Sequence, residues 1–241
     1  MPERARAQTL HRGPVLDRVG PDAMHRIVVR ATQVQVERRE PLWRPGDPVT
    51  ALYWVRSGIV AERIPLPGGR EFLLAFRGRS DVVGEVGALA AAFHGAARHE
   101  TLAEAHEEAT LYALPLAELV ALLRADPGLA MGLAALTAER RQATEARLAS
   151  VPYLSAPARM ASVLLSLAET FGVRDSRGVI VNLRLTHRDL AGLAGASRET
   201  ASVALLDWRR DGLVEVEGKR VVLLDQERLA AVARDERPSV G

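Results

Sequence analysis

Cysteine is absent from the 241-residue chain, which excludes disulfide bonds, thiolate metal sites and cysteine-ligated iron–sulfur clusters. Aromatic residues make up only 4% of the sequence. Long apolar runs are missing too, since none approaches the roughly 20 residues that a membrane-spanning helix needs. The amino-terminal residues lack the apolar core of a signal peptide. A soluble, cytoplasmic protein with no membrane partner is therefore expected.

Lysine is nearly absent as well, because Lys219 is the only one. The 32 basic residues are almost balanced by 30 acidic residues, which leaves a formal net charge of +2. Any nucleic-acid footprint must therefore be a local patch, because the bulk charge shows none. The hydrophobic content of 48% and the charged content of 26% are typical of a globular protein with one large or two small domains.

The first half of the chain has the pattern of a β-rich domain. Residues 1–24 are weakly patterned and are interpreted as a tail with at most a short helix. From Val28 apolar and polar residues alternate, which predicts a half-buried strand. Turns rich in glycine, proline or polar residues then separate further strands, predicted at 51–55, 59–64, 71–76, 101–105 and 109–114, with a short helix and loop at 86–97. This arrangement favours a β-barrel or a sandwich-like roll.

A helical pattern returns after Pro115. A long helix is predicted from about residue 127 to 151, with leucines near heptad spacing that Arg140 and Arg147 interrupt. Two interpretations stay open: the helix pairs with a second copy in a homodimer, or its apolar face packs on its own domain. A proline-bracketed hinge is predicted at 151–157, followed by an amphipathic helix at 159–171 and a strand at 178–185.

The stretch 186–206 has the spacing of a helix-turn-helix. Thr186 can cap a short helix, with Asp189 three residues later as in a capping box. Gly195 ends this helix where a left-handed backbone favours glycine. Ser197 caps a second helix, whose first turn is where recognition helices touch base edges. A plain αα-hairpin with a solvated helix start is the alternative interpretation.

Two short strands around a turn at 217–218 follow the second helix. A helix-turn-helix followed by a β-hairpin is a winged helix, and Lys219 and Arg220 lie at the tip of the wing, placed to meet phosphate. The last predicted element is a short charged helix or tail at 226–237.

The order of these parts resembles the Crp/Fnr family of bacterial transcription regulators. The resemblance covers about residues 28–225, and its most specific pieces are R-P-G-D (44–47), G-R-E-F-L-L-A-F (69–76), G-E (84–85) and G-A-S-R-E-T (195–200). It implies an α+β fold in three parts. These are a tail with a cyclic-nucleotide-binding-type β-roll (1–126), a long dimerisation helix with a hinge (127–152) and a winged helix-turn-helix (153–241).

The resemblance assigns roles in DNA binding residue by residue. Arg198 matches an arginine that reads guanine, and Glu199 matches a carboxylate that accepts from a cytosine amino group. Ser197 and Thr200 match positions that contact phosphate. Val203 stands where a second base-contacting arginine is expected, so that it would touch a thymine methyl or nothing. The predicted DNA-contacting set is Thr186, His187, Ser197, Arg198, Glu199, Thr200, Ser202, Val203 and Lys219.

The resemblance extends less fully to the effector pocket of the β-roll. Gly84 and Glu85 match the pair that holds the ribose of cyclic AMP. The pair that holds the cyclic phosphate is matched by His99 and Glu100, after a longer loop, and Arg98 lies one place early. A carboxylate at Glu100 would repel a phosphate unless the loop turns it away.

Thr144 on the long helix matches a residue that reaches the adenine. The predicted effector set for cyclic AMP or another cyclic nucleotide is therefore Gly84, Glu85, Arg98, His99 and Thr144. In the alternative interpretation the β-roll is a dimerisation and scaffold domain, with Glu85 paired to a neighbouring arginine. His94, His99 and His106 are interpreted as solvated loop histidines, and no metal site is expected.

The predicted function is that of a homodimeric, sequence-specific regulator that binds an inverted-repeat operator and is controlled by a cyclic nucleotide or active without a ligand. The expected partners are double-stranded DNA, a second copy of the chain and RNA polymerase. No enzymatic activity is expected, because no catalytic triad order, carboxylate pair or P-loop is found. The alternative is a cyclic-nucleotide-binding module that acts through protein contacts rather than DNA.

Overall fold

The computed structural model describes residues 24–235. The predicted tail, apart from its last residue, and the last two residues of the predicted carboxy-terminal segment lie outside the described residues. The chain divides into two compact units, residues 1–70 with 74–142 and residues 71–73 with 143–241. This division falls inside the longest described helix, and the three-part division expected from the sequence stays a prediction.

The amino-terminal unit is built on an antiparallel β-roll. Its sheet has the order β1-β6-β3-β4, with β2 paired to β6 and β5 paired to β3. The two long strands β3 and β6 pair along most of their length and form the centre of the roll. The strands are β1 (Thr32–Val36), β2 (Pro41–Trp43), β3 (Ala51–Leu66), β4 (Arg70–Arg77), β5 (Val82–Val83) and β6 (Leu102–Pro115).

The predicted breaks inside β3 and β6 were wrong. Both strands continue through them, although their register shifts around Ser57. Gly58 has a φ of +82°, and a Cβ at this position would lie 2.0 Å from the carbonyl oxygen of Glu108. The glycine therefore permits a bulge and a close approach of the two backbones, which in sequence is indistinguishable from a turn.

The strand predicted from Val28 begins only at Thr32, because residues 24–30 are helical (α1). Met24, Ile27 and Val28 are buried in the core of the β-roll. Their spacing is that of a helical face, and it begins at Met24, the last residue of the predicted tail. The alternation from Thr32 onward is confirmed as β1.

Three further helices contribute to one buried cluster of the amino-terminal unit. They are α2 (Glu85–His94), α3 (Leu116–Ala125) and the longest described helix, α4 (Pro127–Ser150). Leu129, Leu133 and Leu136 of α4 are buried with Trp54 in the same cluster. The interpretation that the heptad-spaced leucines pack on their own domain is therefore confirmed for this half of α4. Leu148, in the other half, is 58% exposed.

The carboxy-terminal unit consists of helices on a small antiparallel sheet of order β7-β8-β10-β9. Ser155 caps its first helix, and Pro157 lies in the first turn of that helix. The predicted hinge at 151–157 therefore corresponds to a turn only at 151–154. The elements are α5 (Ala156–Phe171), β7 (Gly172–Arg174), β8 (Val179–Val181), α6 (His187–Ala194), α7 (Arg198–Arg210), β9 (Val214–Glu217), β10 (Arg220–Leu223) and α8 (Gln226–Ala233).

The strand predicted at 178–185 was too long, because β8 ends at Val181. Leu183 and Leu185 are nevertheless buried. The alternation of apolar residues therefore predicts the burial correctly over the whole segment, but it predicts pairing in the sheet correctly only as far as Val181. The amide of Leu185 donates to the carbonyl oxygen of Lys219 at 2.7 Å, which ties this segment to the wing formed by β9, β10 and their turn.

Among residues 24–235, no single helix is both long and apolar enough to cross a membrane. Within this range α3 and α4 meet these criteria when they are taken together, and they are bent by 113° at their junction.

Candidate nucleic-acid interface and effector site

The first helix of the predicted helix-turn-helix, α6, begins at a complete capping box. The Thr186 hydroxyl oxygen accepts from the amide of Asp189 at 3.1 Å, and the Asp189 carboxylate accepts from the amide of Thr186 at 3.1 Å. Asp189 is buried although it is an acid. Its carboxylate is satisfied at the helix N-terminus, where the helix dipole also favours a negative charge.

The turn between the two helices is held by an arginine that sequence reasoning missed. Gly195 adopts the left-handed conformation that ends α6, with φ 61° and ψ 43°. Arg159 of α5 donates from Nε to the carbonyl of Ala194 at 2.9 Å and from Nη2 to the carbonyl of Gly195 at 3.1 Å. Its Nη1 donates to the carbonyl of Leu154 at 2.8 Å. Nothing in the sequence marks this arginine, because its partners are carbonyls from two separate segments.

The second helix, α7, presents the predicted base-reading side chains to solvent. Arg198 and Glu199 are exposed in its first turn, and Val203, one turn later, is 60% exposed. Leu206, at 66% exposure, continues the same face. The opposite face, which includes Trp208, is buried. One side of α7 is thus free to enter a groove while the other packs in the unit.

Hydroxyl groups organise the start of α7. Ser197 caps the helix by accepting from the amide of Thr200 at 3.0 Å, and the two hydroxyls lie 2.9 Å apart. The Glu199 carboxylate accepts a hydrogen bond from the backbone amide of Glu199, and this is the largest cause that keeps its pKa below the usual value. A hydrogen bond with the Ser197 side chain lowers the pKa further. Glu199 is therefore ionised at neutral pH and acts only as an acceptor, which suits an amino group of cytosine.

His187 links the two helices of the motif. Its Nδ1 lies 2.7 Å from the Ser202 hydroxyl oxygen, and that hydroxyl donates to the carbonyl of Arg198 at 3.0 Å. Since the hydroxyl proton goes to Arg198, Nδ1 is the donor in the contact with Ser202. The predicted residues His187 and Ser202 therefore help to fix the start of the recognition helix.

The helix-turn-helix and the wing enclose a cleft of about 400 Å³. Its walls carry Arg188, Arg198 and Lys219, together with His187. Lys219 is exposed in the turn between β9 and β10, as predicted from the turn signal at Gly218. Three cations around one open cleft form the local patch that the balanced overall charge required.

The acidic residues of the wing are compensated by a second arginine that the sequence did not single out. Arg177, in the turn between β7 and β8, pairs with Glu217 and, at 3.2 Å, with Glu215. The hydrogen bond from Arg177 keeps the pKa of the Glu217 carboxyl below its usual value. Both carboxylates lie on β9, where strand alternation directs them away from the face of Val216 that lines the cleft. Arg177 therefore reduces the negative charge of the wing as a whole.

In the β-roll, the predicted ribose pair lies at the start of α2. Gly84 has a φ of +83° and precedes the first helical residue, Glu85. Glu85 is 3% exposed, and its Oε1 pairs with Nη1 of Arg140 at 2.6 Å. Arg140 also pairs with Asp81 and donates to the carbonyl of Val82 at 2.9 Å. The arginine that interrupts the heptad pattern of α4 thus holds this helix to the β-roll.

The predicted phosphate pair is arranged differently. His99 is buried and stacked on Trp43, with ring centroids 4.1 Å apart and an angle of 12° between the planes. Burial lowers the pKa of His99, and the nearby Asp47 opposes the effect only in part. Arg98 is exposed and donates from Nη1 to the carbonyl of Gly46 at 2.6 Å. The interpretation of His99 as a solvated loop histidine was therefore wrong.

These residues fit a cyclic nucleotide only in part. Glu85 Oε2 is buried without a hydrogen-bond partner among the described residues, which suits a ribose hydroxyl. A cyclic phosphate, however, needs a cation or several N–H donors, and a neutral, stacked His99 next to the exposed Glu100 offers neither. Thr144 lies one turn beyond Arg140 on α4 and is half-buried. Among residues 24–235, no group of three or more acidic, histidine or cysteine side chains could hold a metal ion.

Comparison with known proteins agrees with both units. A family model of the cyclic nucleotide-binding domain matches residues 33–126, and one of the Crp-like helix-turn-helix domain matches residues 158–232. A CRP-like cAMP-activated global transcriptional regulator of Mycobacterium tuberculosis is 32% identical over 227 residues, covering 94% of this chain and 99% of that protein. A cyclic AMP receptor protein of Thermus thermophilus is 34% identical, covering 78% and 83%.

Solved structures agree with the fold. A CRP-family transcriptional regulator from Thermus thermophilus has a TM-score of 0.68 and 28% identity, covering 83% of this chain and 96% of that one. The c-di-GMP responsive global regulator CLP of Xanthomonas campestris has a TM-score of 0.73, covering 86% and 100%, and at 24% identity it supports the fold alone. The resemblance and the mixed fold class are confirmed. The chain belongs to the Crp/Fnr family of transcription regulators, with a domain of the cyclic nucleotide-binding type followed by a helix-turn-helix DNA-binding domain.

Proposed function

We propose that this protein regulates transcription as a homodimer that binds an inverted-repeat operator in double-stranded DNA and catalyses no reaction. The observation that carries the proposal is the exposed first turn of α7, which presents Arg198 and Glu199 to solvent. Arg198 also lines the cleft whose other cations are Arg188 and Lys219. Two such helices related by a two-fold axis would enter successive major grooves about 34 Å apart.

Base reading is assigned to the exposed face of α7. Arg198 has the fork geometry that suits the O6 and N7 acceptors of guanine, and Glu199 accepts from the amino group of cytosine. These two contacts would read a G·C pair and its neighbour. Val203 would contact the methyl group of a thymine one helical turn further along the face.

Phosphate contacts are assigned to the residues that surround this face. The hydroxyls of Ser197 and Thr200 lie at the helix N-terminus, where an anion is favoured by the helix dipole. Lys219 and Arg188 would meet the backbone on either side of the cleft. Thr186, His187 and Ser202 would orient these groups, and their hydrogen bonds within the motif support this role.

Dimerisation is assigned to the exposed face of α4. Met131 is 69% exposed and Leu148 is 58% exposed, although both are apolar. Ala134 and Ala138, between them, are also exposed. Ala138 follows Met131 by one heptad, and Ala134 precedes Leu148 by two heptads. A small-residue stripe flanked by large apolar side chains, on the side opposite the buried leucines, supports helix pairing between two copies.

Selection from a random DNA library tests the proposal. The wild-type protein should enrich an inverted repeat, and Arg198→Ala should weaken binding by about 1–3 kcal/mol and relax one base position in each half-site. Arg174→Ala removes an exposed arginine from β7 of the same unit and should leave the selected sequence unchanged. If both variants select the wild-type operator with wild-type affinity, Arg198 does not read a base.

Salt dependence separates the proposal from a module that acts only through protein contacts. Binding through phosphate contacts releases counterions, so that DNA affinity should fall steeply between low and high salt. RNA polymerase is the expected protein partner. Transcription in vitro from a promoter with the selected operator would report whether the protein activates or represses.

A further inference from the structure

We propose that His99, stacked on Trp43, fills the place where a domain of this type holds a cyclic phosphate, so that this β-roll does not take up cyclic AMP. The proposal concerns the amino-terminal unit and does not rest on the DNA-binding role of the other unit. It distinguishes this chain from the relatives whose names include cyclic AMP.

The ring pair packs against the first turn of α2. A Cβ placed on Gly84 would lie 3.1 Å from Cη2 of Trp43 and 3.8 Å from Cε1 of His99. A Cβ placed on Gly87 would lie 3.0 Å from Cγ2 of Val49 and 3.6 Å from Nδ1 of His99. The Cβ side of both glycines in the first turn is thus occupied by protein side chains, and a phosphate that approached from this side would have to displace a ring.

The backbone fixes His99 in this position. Its amide donates to the carbonyl of Asp47 at 2.9 Å, and its carbonyl accepts from the amide of Gly46 at 2.8 Å. The amide of Val49 donates to the carbonyl of Ala97 at 3.0 Å in the same short ladder. A change of side-chain rotamer would cost His99 its stacking on Trp43. A displacement of its backbone would break these hydrogen bonds.

The charges around the ring pair are also unsuitable for an anion. His99 is neutral near pH 7, because burial disfavours its protonated form. The guanidinium group of Arg98 is exposed and is engaged by the carbonyl of Gly46. Glu100 is exposed directly after His99 and adds a negative charge. Arg140, whose charge lies closest to Glu85, is already paired with that carboxylate and with Asp81.

Calorimetric titration of the full-length protein with cyclic AMP tests the proposal. The wild-type protein should show no saturable binding up to about 1 mM ligand, and tryptophan fluorescence should not change. The double variant His99→Arg with Glu100→Ser restores a cation and removes the adjacent carboxylate. It should bind cyclic AMP at least about tenfold more tightly than the limit set for the wild type.

His94→Arg is the matched control, because it adds the same charge at an exposed position on α2 and should not create binding. Micromolar binding of cyclic AMP by the wild-type protein would overturn the proposal. So would a double variant that folds normally by circular dichroism and still fails to bind. If the double variant does not fold, the wild-type titration decides alone. Neither result depends on whether the protein binds DNA.

Discussion

Arg159 joins the turn of the helix-turn-helix to the segment that precedes α5, because one side chain donates to carbonyl groups of both. Its guanidinium donates to the carbonyls of Ala194, Gly195 and Leu154 at 2.8–3.1 Å. Arg159→Ala leaves the carbonyls of Ala194, the last residue of α6, and of Gly195, its C-cap, without this cation. At a net 0.5–1.5 kcal/mol for each hydrogen bond, with partial replacement by water, the free energy of unfolding should fall by about 2 kcal/mol.

Calorimetry and DNA binding measure this loss. A reduction of about 2 kcal/mol should lower the Tm of the carboxy-terminal unit by on the order of 10 °C. Arg159→Lys keeps the positive charge near the end of α6 but cannot reach three carbonyls, so that it should recover only part of the loss. Arg174→Ala controls for the removal of an arginine from the same unit. A Tm and an operator affinity equal to those of the wild type in Arg159→Ala would refute the reasoning.

Three further predictions follow from the two sites. Replacing the thymine opposite Val203 with deoxyuridine removes one methyl group and should weaken wild-type binding about fourfold, whereas Val203→Ala should not respond to the methyl. Arg177→Ala leaves Glu215 and Glu217 uncompensated and should weaken DNA binding about threefold at low salt and less at high salt. Because the folded-state pKa of His99 is lowered, its contribution to stability should be complete above its unfolded pKa of about 6.5 and decline as the pH falls below it.

A specific result would contradict each of these predictions. Equal sensitivity of the wild type and Val203→Ala to deoxyuridine would place Val203 away from the methyl group. An unchanged affinity of Arg177→Ala at low salt would mean that the wing carboxylates lie far from phosphate. For the pH prediction, His99→Gln should unfold with a flatter dependence below pH 6.5 in denaturant titrations, and an unchanged slope would contradict it.

The helix-turn-helix could be predicted from sequence because its signals are local. Thr186 with Asp189, Gly195 and Ser197 each determine a cap or a turn within four residues, and the structure has all of them in these roles. The wing turn at Gly218 is local in the same way. Propensity and capping decide such elements before tertiary packing contributes.

The parts that sequence reasoning missed depend on contacts between distant segments. Gly58 reads as a turn until the backbone of β6 is placed against it. Arg159 resembles any helical arginine until the two carbonyls of the turn are seen. Alignment to a family motif places His99 in the pair that holds the cyclic phosphate, but its stacking on Trp43, from a distant part of the chain, needed the folded structure. Such contacts leave no periodic signal in the sequence.

The central claim, a dimer that reads two half-sites, is tested most directly by the spacing of the selected operator. Affinity should be measured for the full-length protein on the selected repeat, on the repeat with about 5 bp inserted between its half-sites, and on a single half-site. The half-turn insertion places the second half-site on the opposite face of the duplex and should reduce affinity at least about hundredfold, to the level of the single half-site. Equal affinity for all three DNAs would contradict the two-fold reader.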